Sequence, residues 1–382
     1  MKKQLESVTL IYYKNKGYKM KKTLQLSLSV ALVLGVSSVF ASEAYSPIAY
    51  GAKARGMGGL GIGFVHGAES SFSNPALIAY LPKDEVSLGF TYMSSKNSLG
   101  GDATDMTLGS EPSLISYAAM SNTITESISI GATLANLSSL NSSINPDDGG
   151  TVALSELSKT RVAIPVTYNI VGFSVGIAPI LEQQTFSSLY SLAATPSVAF
   201  GFDLGLAYHL DDLGLMIAAD YKSKIKHKHM AEDGNFDFNT PSEMGIGLSW
   251  DIFNSGHSIG FDYKQTKASD VIKVTGEDLE LEDINSFALG YEYQAKDWAA
   301  RVGYRYISDL YDFAKVDELL LILPYNTTSH FSLGGSYTFN DTVSGDLALV
   351  YAMDNHDYTN DGDTITMKNN QTSLTVGLNY HF

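Results

Sequence analysis

No cysteine occurs anywhere in the chain. That excludes a disulfide framework, a thiolate metal site and a cysteine nucleophile. Basic residues are the minority, 25 Lys and Arg against 41 Asp and Glu for a formal charge of −16. A nucleic-acid partner needs a basic face that this balance does not supply. Past Ala41 no apolar run approaches the roughly 20 residues that a membrane-spanning helix requires. Metal-site spacing is absent too. His227 and His229 share one side of an extended segment, but Lys226 and Lys228 are interleaved with them and would repel a cation. Ser, His and acidic residues are present without any nucleophile motif, so the chain reads as no enzyme, with no cofactor and no metal.

What is abundant is aromatic and small: 23 Tyr, 17 Phe and 34 Gly, with hydrophobic residues at 44%. The apolar residues are dispersed in alternation. In 197–210, Val198, Phe200, Phe202, Leu204, Leu206 and Tyr208 alternate with Ser197, Ala199, Gly201, Asp203, Gly205 and Ala207. Segments 243–252, 286–294 and 298–306 repeat the pattern, which a helix period cannot produce. A half-buried soluble strand also alternates. Here, however, the second face mixes Gly, Ser, Ala and charge, and the apolar faces end in Tyr or Trp. That combination fits a lipid-facing barrel with an aqueous lumen and an aromatic girdle.

Short turns are expected near Asn122-Thr123, Asn169 to Gly172, Asp211-Asp212, Phe253 to Gly256, Ala295 to Asp297 and Asn340-Asp341. Longer loops between them complete about fourteen strands, an even number as in bacterial outer-membrane barrels. The fold class is therefore all-β, a transmembrane antiparallel β-barrel spanning 85–382. Its last strand alternates to Tyr380 and Phe382, a terminal aromatic pattern of the kind read by the barrel-assembly machinery. Ahead of it, Met20-Lys21-Lys22, the apolar stretch Leu24 to Val36 and Val39-Phe40-Ala41 form a secretory signal with cleavage after Ala41. Residues 1–41 are assigned to this signal, with translation expected to start at Met20.

Residues 42–84 do not alternate. They hold Gly51-Ala52-Lys53-Ala54-Arg55-Gly56-Met57-Gly58-Gly59 and then Ser73-Asn74-Pro75-Ala76-Leu77. With no preceding strand and no βαβ context the glycines are not a nucleotide loop. Compact irregular structure inside a lumen is the alternative.

These two motifs resemble the start of FadL-family proteins. Downstream, Asp220-Tyr221-Lys222-Ser223-Lys224-Ile225-Lys226-His227, Arg301-Val302-Gly303-Tyr304 and Leu323-Pro324 to Leu333-Gly334-Gly335-Ser336-Tyr337 are similar to later family segments in the same order. The resemblance implies a barrel plugged by an N-terminal hatch, residues 42–84. It implies uptake of long-chain fatty acids or hydrocarbons and lateral exit beside a kinked third strand. Asn74, Pro75, Ala76 and Leu77 would lie in the hatch near the inner ligand site. The third strand, expected at 125–137, holds Gly131 but no proline. The loop at 185–196 is short where family members often carry a long helical one.

Further candidates have two readings each. Arg301, Arg305, Lys222 and Lys224 have lumen parity. They either anchor a ligand carboxylate or pair with lumenal acids such as Asp203, Asp220, Asp262 and Glu292. Leu319, Leu320, Leu321, Ile322 and Leu323 form an apolar run in an external loop, either packed on a neighbour or gathering ligand. The acidic run 277–283 is a solvated surface or a cation-bridged contact with lipopolysaccharide. Expected partners are a hydrophobic small molecule, outer-membrane lipid and the assembly machinery, with the barrel a monomer in a Gram-negative outer membrane. The competing functions are a structural or interaction barrel and a lipid-modifying enzyme.

Overall fold

The computed structural model describes residues 47–101, 105–109, 113–144, 152–188, 191–231, 234–253, 255–273, 281–310, 327–360 and 363–382. The signal segment, the apolar run Leu319 to Leu323 and most of the acidic run 277–283 lie outside these residues.

Fourteen antiparallel strands form a closed barrel. They are β1 (Glu85–Gly101), β2 (Ser113–Thr125), β3 (Ile128–Ile144), β4 (Val152–Ala163, continued by Val166–Ile170), β5 (Phe173–Ser188), β6 (Ser191–Leu210) and β7 (Leu215–Lys222). Then follow β8 (Glu243–Asp251), β9 (His257–Thr266), β10 (Ile284–Gln294), β11 (Trp298–Ile307), β12 (Ser329–Asn340), β13 (Val343–Asn360) and β14 (Asp363–His381). Each strand pairs with its sequence neighbour. β1 closes the circle on β14, from Glu85↔His381 to Gly101↔Ile365. Closure gives every strand two partners, which a hydrocarbon environment demands of backbone N–H and C=O groups.

The period-2 pattern maps onto the two faces as the sequence indicates. Phe200, Leu206, Leu248, Leu289 and Leu333 point outward and are exposed, while Asp203, Ala207, Asp262 and Ala288 face inward and are buried. At the short-turn end, Trp250–Phe253, Tyr293–Trp298 and Tyr337–Phe339 pack in edge-to-face pairs at 5.7, 5.4 and 5.4 Å, a girdle of amphipathic rings.

Boundaries differ from the sequence reading in two places. The first is the loop expected at 185–196, which is strand through Ser188 and again from Ser191 because β5 and β6 pair on to Ser188↔Ser191. The β2–β3 turn sits at Glu126-Ser127, not at Asn122-Thr123, and the third strand is Ile128–Ile144 rather than 125–137. Asn122 makes no turn because its amide donates to the Asp84 carboxylate. The turn forms where the Thr125 hydroxyl accepts the N–H groups of Ser127 and Ile128, at 3.3 and 3.1 Å.

Residues 47–84 fill the lumen with α1 (Ala52–Gly56) and two 3₁₀ turns, Ala68–Phe72 and Pro75–Tyr80. Met57, Leu60 and Leu77 are fully buried there. A second segment, the β7–β8 loop, turns inward from the long-loop end. Ile225 bridges Thr240 within it and packs against Ala163, Ala178 and Ile180 of β4 and β5.

Candidate functional site

The N-terminal segment is held by polar groups of the wall that reach its main chain. Arg305 of β11 donates to the carbonyls of Gly58 (2.7 Å) and Gly59 (2.6 Å). Asp262 of β9 accepts the N–H groups of Gly61 (2.7 Å) and Ile62 (3.0 Å). Lys222 of β7 donates to the Ser73 carbonyl at 2.9 Å. Thr167 of β4 and Ser174 of β5 donate to the carbonyls of Pro75 (2.6 Å) and Ala76 (3.0 Å).

Backbone can lie this close because the wall is bare of side chains at the contacts. A Cβ on Gly303 would sit 2.1 Å from the Gly58 nitrogen, and one on Gly247 would sit 2.3 Å from the Gly63 nitrogen. The paired residues Gly176 and Gly205 of β5 and β6 form the seat of the Asn-Pro-Ala turn. A Cβ there would be 2.5 Å from the Ala76 nitrogen or 2.0 Å from the Asn74 side-chain oxygen. Asn74 caps this turn by accepting the Ala76 N–H at 2.9 Å, with Pro75 at the first helical position. Its amide nitrogen donates to Ile62 O at 2.9 Å and to Leu206 O and Ala219 O at 3.3 Å. Ala76 and Leu77 pack with Ala207, Met216 and Ala218 of the wall.

Between the N-terminal segment and the inward loop lies a cavity of about 50 Å³. Its apolar lining includes Ile48, Ala49, Tyr50, Ile62, Phe72 and Ile180, and its charged lining is Arg161, Lys222, Lys264, Arg305, Glu243 and Asp262. Each cation is engaged. Arg161 grips Glu182 through Nε (3.0 Å) and Nη2 (2.8 Å). Lys222 pairs with Asp220 at 2.7 Å and Asp203 at 3.6 Å, and Lys264 with Glu243 at 3.4 Å. Glu182 also takes His227 of the inward loop at 3.1 Å and the Thr240 hydroxyl, which fastens that loop over the cavity.

Of the candidates read from sequence, Lys222 and Arg305 line the cavity; Arg301 and Lys224 do not. Arg301 pairs with Glu292 at 2.5 Å and Lys224 with Asp270 at 3.0 Å. Asn74, Pro75, Ala76 and Leu77 lie in the wall seat, and from that stretch Ser73 alone reaches the lining. Arg161, Glu182 and Lys264 were not singled out in the sequence, although Lys264 shares the lumen parity of Asp262.

Two prolines interrupt the wall at β3–β5. In the β3–β4 ladder Gly131 N donates to Pro165 O at 2.8 Å, and between β4 and β5 Ile164 N donates to Pro179 O at 3.3 Å. Neither proline has an N–H to return, so Gly131 O and Ile164 O lose their ladder donors side by side. The third strand has no proline of its own; the prolines are on its two successors. Ile78 lies behind this point, its Cδ1 3.7 Å from where a Gly131 Cβ would be.

No protein-family model and no curated relative matches the chain. Among solved structures, the Pseudomonas putida toluene transporter TodX superposes with a TM-score of 0.70 at 18% identity, over 87% of this chain and 99% of that one. A Pseudomonas aeruginosa FadL homologue gives 0.70 at 16% identity, over 87% and 98%. The Ralstonia pickettii toluene transporter TbuX gives 0.64 at 18% identity, over 87% and 98%. The chain thus has the fold of the FadL-type hydrophobic-compound transporters, as the motifs of its N-terminal segment imply.

Proposed function

We propose that this barrel lies in the outer membrane and admits hydrophobic small molecules from outside, with residues 42–84 as its hatch. The observation that carries this reading is the cavity, half apolar and half charged, enclosed between two segments that hang on the wall by polar contacts. At about 50 Å³ it is far smaller than the ~150 Å³ that houses a benzene ring. Passage of any hydrocarbon therefore requires the hatch or the inward loop to move. Similarity of fold to two toluene transporters and a FadL homologue supports the same reading.

Exit is assigned to the proline-interrupted wall at β3–β5. Two neighbouring carbonyls already lack ladder donors there, and the hatch turn Pro75–Tyr80 packs directly behind it. Parting strands at this point breaks fewer hydrogen bonds than anywhere along an uninterrupted ladder.

A tether tests the reading. In the Ala76→Cys/Ser174→Cys variant a disulfide would join the hatch to β5, where the Ser174 hydroxyl already bonds the Ala76 carbonyl. The oxidised protein is expected to assemble normally and to lose uptake of a labelled hydrocarbon, and reduction is expected to restore it. Equal uptake in both states would make the hatch a static plug and not the gate, and no uptake in either state would make the barrel a structural one.

A further inference from the structure

We infer that the cavity is built for neutral molecules and rejects carboxylates, and that Glu243 is the residue that enforces this, by occupying Lys264. The inference rests on the transport reading and narrows its substrate class.

Counted as formal charges, with every carboxyl ionised and His227 neutral, the side chains around the cavity have no positive surplus. Four cations line it, Arg161, Lys222, Lys264 and Arg305, against the lining acids Glu243 and Asp262. Their direct partners add Glu182, Asp203 and Asp220. Lys159, donating to Thr240 at 2.9 Å, brings the tally to five against five. A ligand carboxylate would arrive as unpaired negative charge in a confined cavity, where it must displace a wall acid to find a partner.

Displacement is not equally difficult everywhere. Arg161 is held by two bonds to a carboxylate that itself takes two further donors. Lys222 is shared by two acids and the Ser73 carbonyl, and Arg305 is spent on the hatch backbone. Among the described residues Lys264 has one ion-pair partner, Glu243 at 3.4 Å, so it is the cation that a single substitution would free. The apolar lining, Ile48, Tyr50, Ile62, Phe72 and Ile180 among it, then selects the remainder of the ligand.

The experiment compares radiolabelled dodecanol and dodecanoate, equal in chain length and different in charge, in cells whose own hydrophobic-compound channels are removed. The unaltered protein is expected to take up dodecanol and leave dodecanoate outside. Glu243→Gln is expected to raise dodecanoate uptake by roughly tenfold or more, the factor a charge-assisted hydrogen bond supplies. The double variant Glu243→Gln/Lys264→Gln is expected to admit dodecanol and again refuse dodecanoate, which separates a freed ammonium from a merely looser wall. Uptake of dodecanoate on a par with dodecanol by the unaltered protein overturns the inference while transport stands. Uptake of neither overturns transport itself. Dodecanoate admitted equally by the single and double variants removes Glu243 and Lys264 from the selection. Heat-modifiable mobility reports assembly of each variant, and if the single variant fails to assemble, the discrimination shown by the unaltered protein decides.

Discussion

The wall from β9 to β12 and the wall from β3 to β5 both carry the hatch, but they hold it on different terms. Wall glycines lie against hatch backbone on both; on the first, Arg305 and Asp262 reach main-chain atoms with charge-assisted bonds, and the β9–β12 ladders run without a break in register. On the second, neutral hydroxyls of Thr167 and Ser174 make the contacts and two prolines interrupt the strand pairing behind them. Charged hydrogen bonds are roughly twice as strong as neutral ones. The proposed hatch is therefore held more tightly on one side than on the other, and release under the proposed function would begin at β3–β5.

The largest expected effect is on the fixed side. Gly303→Val would drive a side chain into the Gly58 nitrogen and the Met57 carbonyl carbon, each 2.1 Å from the new Cβ. Overpacking of this kind costs about 3 kcal/mol or more. The variant should leave the hatch open to protease in a barrel that still assembles. Gly335→Ala, whose nearest neighbour is Ala299 O at 3.6 Å, is the control and should change nothing. Equal protection in both variants would mean that close seating at Gly303 does not fix the hatch to this wall.

An intermediate effect comes from pH. Glu69 is buried in the hatch, and Glu85 adds like charge. Burial first, opposed by Lys53, pushes its carboxyl from 4.5 up to about 8. The seated hatch thus holds the proton more tightly than a released one. Its contribution is full below about pH 4.5 and is lost as pH rises through about 8. Hydrogen exchange of hatch amides should quicken from pH 5 to pH 9 beyond the intrinsic pH dependence, by roughly tenfold or more, since the proton bound to the seated hatch no longer holds it closed. Glu69→Gln should flatten that excess. A wild-type excess that persists in the variant would assign the pH dependence elsewhere.

The smallest effect concerns the releasable side. Pro165→Ala with Pro179→Ala restores two ladder donors, worth about 0.5–1.5 kcal/mol each. The midpoint of unfolding in denaturant should rise while hydrocarbon uptake falls. A more stable barrel with undiminished uptake would move the exit away from β3–β5.

Much of this contrast was legible in advance and part was not. Period-2 alternation placed Leu248 outside and Asp262 inside because strand parity depends only on the residue's own position. The lumenal cations were legible for the same reason. Their partners were not, because Arg161 meets Glu182 and Arg305 meets Gly58 only once strand register and the hatch path are fixed. Asn122-Thr123 has the composition of a turn, yet the Asp84 carboxylate claims the Asn122 amide and moves the turn along the strand. The glycines in the wall were visible as small lumenal residues, but that they pair with glycines of the hatch is a fact of three dimensions.

The anchors from Arg305, Asp262, Lys222, Thr167 and Ser174 all end on carbonyls or amides of the hatch main chain. A lock that reads the polypeptide backbone is indifferent to most of the letters written on it. Hatch side chains that touch no wall residue are then free to drift, so long as the glycines and the Asn-Pro turn keep the path. Such a segment is a cartridge. A foreign stretch that follows the same backbone trace would seat in this barrel and bring its own chemistry to the floor of the cavity.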